Sequence, residues 1–294
     1  SLSSILVAGL NTTFADNLLS YFEGKSVEEI FDTLNDYLTQ LSEQISEEHP
    51  YGMTALQCIA AAQKRIFEAE ESLQEAQEKD PIDHIQYASY AQRRGESAEF
   101  WLNLAREYQK GDEISEKTLR DAASSMVNTA QLSLVYASSV VPKSNILQEA
   151  QDNLETAEEE FTEKAYCASL FSALESKVYS EVALIAYASD KSIIPQRIER
   201  ARERARSSIE ASRKRGIEPV LAVSYYELAE SSNSSIQSLI YLRYSEEIAS
   251  IYKYMESQPE IPVEAVPEKR PETERRYELL FFLGIGICIG FGIS

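Results

Sequence analysis

Ser26-Val-Glu-Glu-Ile-Phe-Asp-Thr-Leu-Asn-Asp-Tyr-Leu-Thr-Gln-Leu-Ser-Glu-Gln-Ile45 is the stretch on which the fold class turns. Ser26 with Glu29 three residues on is the capping-box spacing, in which a hydroxyl and a carboxylate satisfy backbone N–H groups at a helix start. Ile30, Leu34, Tyr37, Leu41 and Ile45 follow at intervals of three and four, which puts them on one face of a helix.

Outward from this stretch the same pattern repeats. Upstream, the sequence predicts a helix over Thr13–Glu23 with Gly24 just beyond its end, and residues 1–12, with the apolar run Ile5–Leu10, read as the end of an upstream domain. Downstream, Leu56, Ile59, Ala62, Ile66 and Leu73 form a seam along 54–78, and Pro81 opens a partner helix carrying Tyr87, Ala91, Ala98, Trp101, Leu102 and Ala105. These two make a helical hairpin with Trp101 expected in the core. A second hairpin is predicted from 115–139 and 145–189; the latter would be about 67 Å long unbroken, so a bend near its middle is expected. Its Glu158, Glu159 and Glu160 read as a solvated face. A third pair is predicted over 219–231 and 234–255. Pro50, Pro81, Pro142, Pro195 and Pro219 all fall between these segments, where a missing N–H does least harm. The fold class is therefore all-α, with residues 13–257 as one domain of antiparallel hairpins packed as a bundle or a short superhelical stack. No strict 34-residue repeat is present.

Lys plus Arg number 28 against 48 Asp plus Glu, and a net charge of −20 argues against nucleic acid as a partner. Cys58, Cys167 and Cys288 form no C-x-x-C pair and read as small buried hydrophobes. His49 and His84 stand in no metal-binding spacing and read as loop-end residues. Phosphate-loop, nucleophile-elbow and dinucleotide signatures are missing, so no catalytic, metal or cofactor residue is predicted. One stretch inverts the charge: Arg197, Arg200, Arg204, Arg206, Arg213 and Arg215 form a basic run that reads as a surface helix paired with acidic neighbours, or as a stripe for an anionic partner.

Beyond the helices, Pro259, Pro262, Pro267 and Pro271 mark an extended charged linker over 258–277. Leu279–Ile293 carries no charge and gives 278–294 the character of a membrane anchor, though it falls short of the roughly 20 apolar residues a spanning helix needs, as a truncated one would. Gly286 and Gly290 make a G-x-x-x-G, a face through which the anchor could form a homo-oligomer. Lys269, Arg270, Arg275 and Arg276 favour a cytoplasmic domain. Two sequons, at Asn11 and Asn233, and the acidic Tyr-rich composition favour the outside, and the extracytoplasmic side is the expectation.

Tyr87-Ala-Ser-Tyr-Ala-Gln92, Ser97-Ala-Glu-Phe-Trp-Leu102 and Tyr225-Tyr-Glu-Leu-Ala-Glu230, followed by a spacer and an anchor, resemble the C-terminal region of archaeal membrane-associated Lon-like serine proteases, from about residue 26 onward. The resemblance implies a Ser-Lys dyad in an upstream domain. Nothing in this chain matches the dyad, and no catalytic residue is carried over. The expected function is a noncatalytic, membrane-tethered helical module acting as spacer and protein-interaction domain. The alternatives are the accessory region of such a protease and a tetratricopeptide-like peptide-binding scaffold. Because the apolar seams lie before residue 258, a chain ending at Gln258 is expected to be soluble and to unfold cooperatively in urea; noncooperative unfolding would contradict a self-contained core.

Overall fold

The computed structural model describes residues 2–76 and 81–256. The Pro-rich linker 258–277, the apolar segment 278–294 and, with them, Cys288, Gly286 and Gly290 lie outside the described residues. The chain from Ser1 to Glu256 forms one compact unit. Its helices are α1 (Leu2–Phe22), α2 (Val27–Ser46), α3 (Met53–Ala76), α4 (Pro81–Glu107), α5 (Glu116–Val140) and α6 (Asn145–Thr162). After these come α7 (Tyr166–Ala188), a 3-10 turn (Lys191–Ile193), α8 (Ile194–Lys214), α9 (Val220–Ser231), α10 (Ser235–Ala249) and α11 (Tyr252–Glu256). Among the described residues there is no strand, only a single bridge between Tyr51 and Glu113, and no helix is long and apolar enough to cross a membrane.

Local chemistry sets the helix ends. The capping box forms at α2: Ser26 Oγ accepts from the Glu29 N–H at 3.1 Å, and Glu29 Oε2 accepts from the Ser26 N–H at 3.0 Å. Ser115, Ser144 and Ser234 cap α5, α6 and α10 in the same sense. α2 buries Ile30, Leu34, Leu38, Leu41 and Ile45. The stripe thus runs through Leu38 rather than Tyr37, whose hydroxyl instead donates to Glu99 at 3.0 Å.

Three further expectations are revised. α1 begins at Leu2, so residues 2–12 belong to the same helix as 13–22. The segment 145–189 does not bend; it reverses. Lys164 takes a left-handed φ of 66°, its N–H donates to Phe161 O at 3.1 Å, and the Ala165 N–H donates to Glu160 O at 2.9 Å. This is the Schellman closure of a helix C-terminus, built here on Lys where Gly is usual. Trp101 is only half-buried, edge-on to Phe100, while Leu102, Ala98 and Ala105 take the interior.

α3 and α7 sit at the centre. Each residue from Ala55 to Ala62 in α3, and from Tyr166 to Leu174 in α7, is buried. α3 packs against α2, α4, α7 and α9; α7 packs against α3, α5, α6 and α10. Alanines and serines line these contacts, and the serines return their hydroxyls to neighbouring backbones: Ser169 Oγ donates to Ala157 O at 2.7 Å and Ser176 Oγ to Ala150 O at 2.6 Å, both in α6. Ser245 Oγ of α10 does the same to Ala222 O of α9 at 2.7 Å. The α7 start has no side-chain cap of its own, and Gln63 Oε1 of α3 accepts from the Ala168 N–H at 2.9 Å instead. Two loops clasp each other at one end of the bundle: the Gly52 N–H donates to Asp112 O at 3.1 Å and the Ile114 N–H to Pro50 O at 2.9 Å.

Gly52 has φ +90°, and a Cβ there would lie 2.2 Å from the Lys110 carbonyl oxygen. Backbone cannot yield as a side-chain tip can. Gly52→Ala is expected to cost at least about 2 kcal/mol, from the left-handed conformation and the clash together, read as a lower urea midpoint at unchanged slope.

Candidate interaction site

The arginine run predicted from sequence lies on α8, but the structure mostly pairs it internally. Ile194, Ala201, Ala205, Ile209 and Ser212 form the buried face, which leaves the arginines outside. Arg213 grips Glu218 with contacts of 2.6 to 3.1 Å, and Arg215 lies over the Tyr252 ring at 4.3 Å. Arg206 Nη2 donates to the Tyr226 hydroxyl at 3.1 Å, and Arg204 lies 3.6 Å from Glu246. Arg202, outside the nominated set, bonds both Glu230 and Glu199. Arg197 and Arg200 face a small cleft of 280 Å³ with Arg204, Ile185, Leu239 and the opposing charge of Glu203. Arg197, Arg200 and Arg204 thus share one cleft, while Arg206, Arg213 and Arg215 turn to partners of their own.

A stronger concentration of like charge lies elsewhere. α3 and α6 flank a groove of 750 Å³ lined by Glu70 and Glu71 on one side and Glu155, Glu158, Glu159 and Glu163 on the other, with Phe67, Gln74, Thr156 and Thr162 between. No Lys or Arg is among these lining residues. Burial and then Glu75, Glu159 and Glu68 push the Glu71 carboxyl above its ordinary range; burial and Glu163 do the same for Glu70, against a pull down from Ser42. Glu71 also lines a second cleft of 620 Å³ with Glu68, Glu75, Asp83, Tyr87 and Tyr90, so the acidic face continues along α3 towards α4. There Glu68 is already paired, to Arg65 at 2.8 Å and Arg94 at 3.1 Å. Sequence reasoning missed this groove because it pairs helices that are not neighbours in the chain.

The other face of α6 corrects the reading of Glu158–Glu160 as wholly solvated. Leu147, Ala150, Leu154 and Ala157 are its buried seam, and three residues further that seam reaches Glu160, which is fully buried. The signal was in the period, masked by the run of three glutamates. No hydrogen bond of normal geometry reaches either Glu160 carboxylate oxygen or the Ser172 hydroxyl, although Ser172 lies near enough to favour the charged carboxylate. Burial pushes the Glu160 carboxyl up to about 7, against a pull down from Ser172 and Lys64. Lys64 itself is bonded to Glu175 of α7; burial disfavours its charge, but Glu175, Tyr225 and Glu68 together outweigh that and hold it protonated.

Cys58 and Cys167 are buried free thiols, each pushed up by burial to about 12, and so inert at neutral pH. His49 is exposed in the α2–α3 loop, whereas His84 lies inside the first turn of α4 rather than in a loop. Asn233 sits exposed in the α9–α10 turn; Asn11 is exposed within α1. Among the described residues no three His, Cys, Asp or Glu side chains converge closely enough to hold a metal ion.

Because the Glu160 carboxyl is raised in the folded state, its contribution to stability is complete below about pH 4.5 and is lost as pH rises to about 7. The loss is on the order of 3 kcal/mol. Glu160→Gln, a fixed neutral isostere, is expected to match the parent near pH 4.5 and exceed its stability above pH 7, measured by urea unfolding across that range. Parallel pH profiles for the two proteins would show that Glu160 is not the titrating group. Comparison with protein-family models, with curated proteins and with solved structures returned no match for this chain.

Proposed function

We propose that the chain is a noncatalytic helical interaction module whose acidic α3–α6 groove receives a Lys- and Arg-rich segment of a partner protein. It is held at a membrane by its apolar 278–294 segment, with the helical domain on the extracytoplasmic side. The observation behind the partner is the convergence of six glutamates from two helices with no cation among the residues lining the groove. Carboxylates crowded in this way raise one another's proton affinity, and several positive charges spread along an incoming segment relieve that repulsion. A single metal ion would suit the groove less, since no three carboxylates close on one point among the described residues. The net charge of −20 favours the approach of the same class of partner.

The packing of α10 on α7 and of α9 on α3 supports a closed bundle over an open tetratricopeptide-like superhelix, in which successive hairpins would leave a concave inner face. The second reading is the accessory region of a membrane-bound Lon-like protease. It rests on the Tyr- and Ala-rich segments of α4 and α9, and a Ser-Lys domain encoded immediately upstream would establish it.

The groove is tested with a labelled Lys/Arg-rich peptide, by fluorescence anisotropy at low and high salt. Binding is expected to weaken as salt screens the charges, and Glu155→Lys with Glu159→Lys is expected to weaken it roughly tenfold or more. Equal binding by the parent and the doubly reversed protein would remove the groove as the site.

A further inference from the structure

α5 is the helix that departs from the charge pattern of the rest. From Ala122 to Pro142 there is no Asp, Glu, Lys or Arg, the longest such run in a sequence that is 26% charged. Its inner face, through Leu119, Ala123, Met126, Ala130, Leu134 and Ala137, is buried, and the helix packs on α6 and α7. The opposite face of such a helix ordinarily carries the polar and charged side chains. Here it carries Leu132, Val135 and Tyr136, exposed to 72%, 55% and 58%. Phe22, three residues after the exposed Leu19 on α1, and Phe100 are as exposed, but a glutamate stands beside each, Glu23 and Glu99, so neither lies on an uncharged face.

The outer residues have an order. Asn128, Leu132, Val135 and Ser139 are spaced four, three and four, the interval of a helix–helix seam. Read in either direction the seam runs polar, apolar, apolar, polar. Two antiparallel copies centred between Leu132 and Val135 would set Leu132 of each on Val135 of the other, Tyr136 beside Gln131, and Asn128 opposite Ser139. Charge points to the same occupant. Two chains of −20 repel each other, and α5 offers a face on which they can meet without placing carboxylates together, whereas a charged partner segment would find nothing there to pair with.

We propose that the outer face of α5 is a self-association surface on which a second copy of this chain docks antiparallel through Leu132, Val135 and Tyr136. From Asn128 to Ser139 the seam is about 17 Å long and covers on the order of 400 Å² per copy, against roughly 800 Å² in a standard interface, so the dimer is weak and reversible.

The test is sedimentation equilibrium of the full chain, in the least detergent that keeps it soluble, from about 1 to 200 µM. A monomer–dimer equilibrium is expected, tighter at high salt where the mutual repulsion is screened. Leu132→Glu with Tyr136→Glu is expected to weaken it at least about tenfold, while Phe100→Glu leaves it unchanged. An environment-sensitive fluorophore on Gln131→Cys, in a Cys288→Ser background, is expected to shift to the blue as concentration rises. A chain monomeric throughout overturns the proposal. So does a dimer indifferent to the paired glutamates, which would place association elsewhere, as in Gly286 and Gly290. A blue shift independent of concentration overturns it too, because the stripe would then be covered within one chain.

Discussion

The bundle depends on how α7 is enclosed. A helix buried on every side from Tyr166 to Leu174 must let its neighbours approach closely, and small side chains allow this: Ser169 and Ser176 keep the surface low where α6 lies against it. A serine at such a contact carries a polar group into the interior. Ser169 and Ser176 resolve that by donating to α6 carbonyls, which already accept within their own helix and have a second lone pair to offer. The same solution recurs where α10 meets α9, through Ser245 and Ser238, and where Ser72 of α3 reaches Tyr87 O of α4. Each bond contributes only about 1 kcal/mol net, but a hydroxyl buried without one costs more than that.

Where this device fails, polar groups are left unmet. No hydrogen bond of normal geometry reaches Ser172 or Ser180 on α7, or the buried Glu160 carboxylate of α6. A carboxyl in that position takes up a proton more readily than it stays charged, which ties the α6–α7 hairpin to pH. The hairpin turn follows directly, with Lys164 in a left-handed conformation whose bonds reach back to Glu160 O and Phe161 O. The two ion-pair groups along the outer side of α7 behave differently. Lys64 with Glu175, and Lys177 and Arg243 with Glu181 and Glu247, match cation to anion across three helices.

The surface separates into regions of distinct chemistry. The free face of α6 and the adjoining face of α3 concentrate glutamates; α8 and its C-cap carry seven of the sixteen arginines and pair four of them with Glu218, Glu230, Tyr226 and Tyr252; α5 carries no charge over most of its length. This is a consequence of packing as much as of composition. α8 lies beside acceptors on α9 and α10, and α6 turns its unpaired carboxylates toward another acidic helix.

Much of the local structure is written in the sequence. The Ser26–Glu29 box, the apolar stripe of α2, the prolines between helices and the α3–α4 hairpin follow from hydrogen-bond chemistry and period within a few residues of each other. Tertiary structure alone decided which faces meet. The period along α6 pointed Glu160 inward, yet only the enclosure by α3 and α7 makes it a buried acid. The reversal at Lys164 was hidden because a residue other than Gly adopts the left-handed turn. The acidic groove was illegible because α3 and α6 are brought together by α7, whose first half, Tyr166 to Leu174, is buried all round and shows no polar face from which its neighbours could be read.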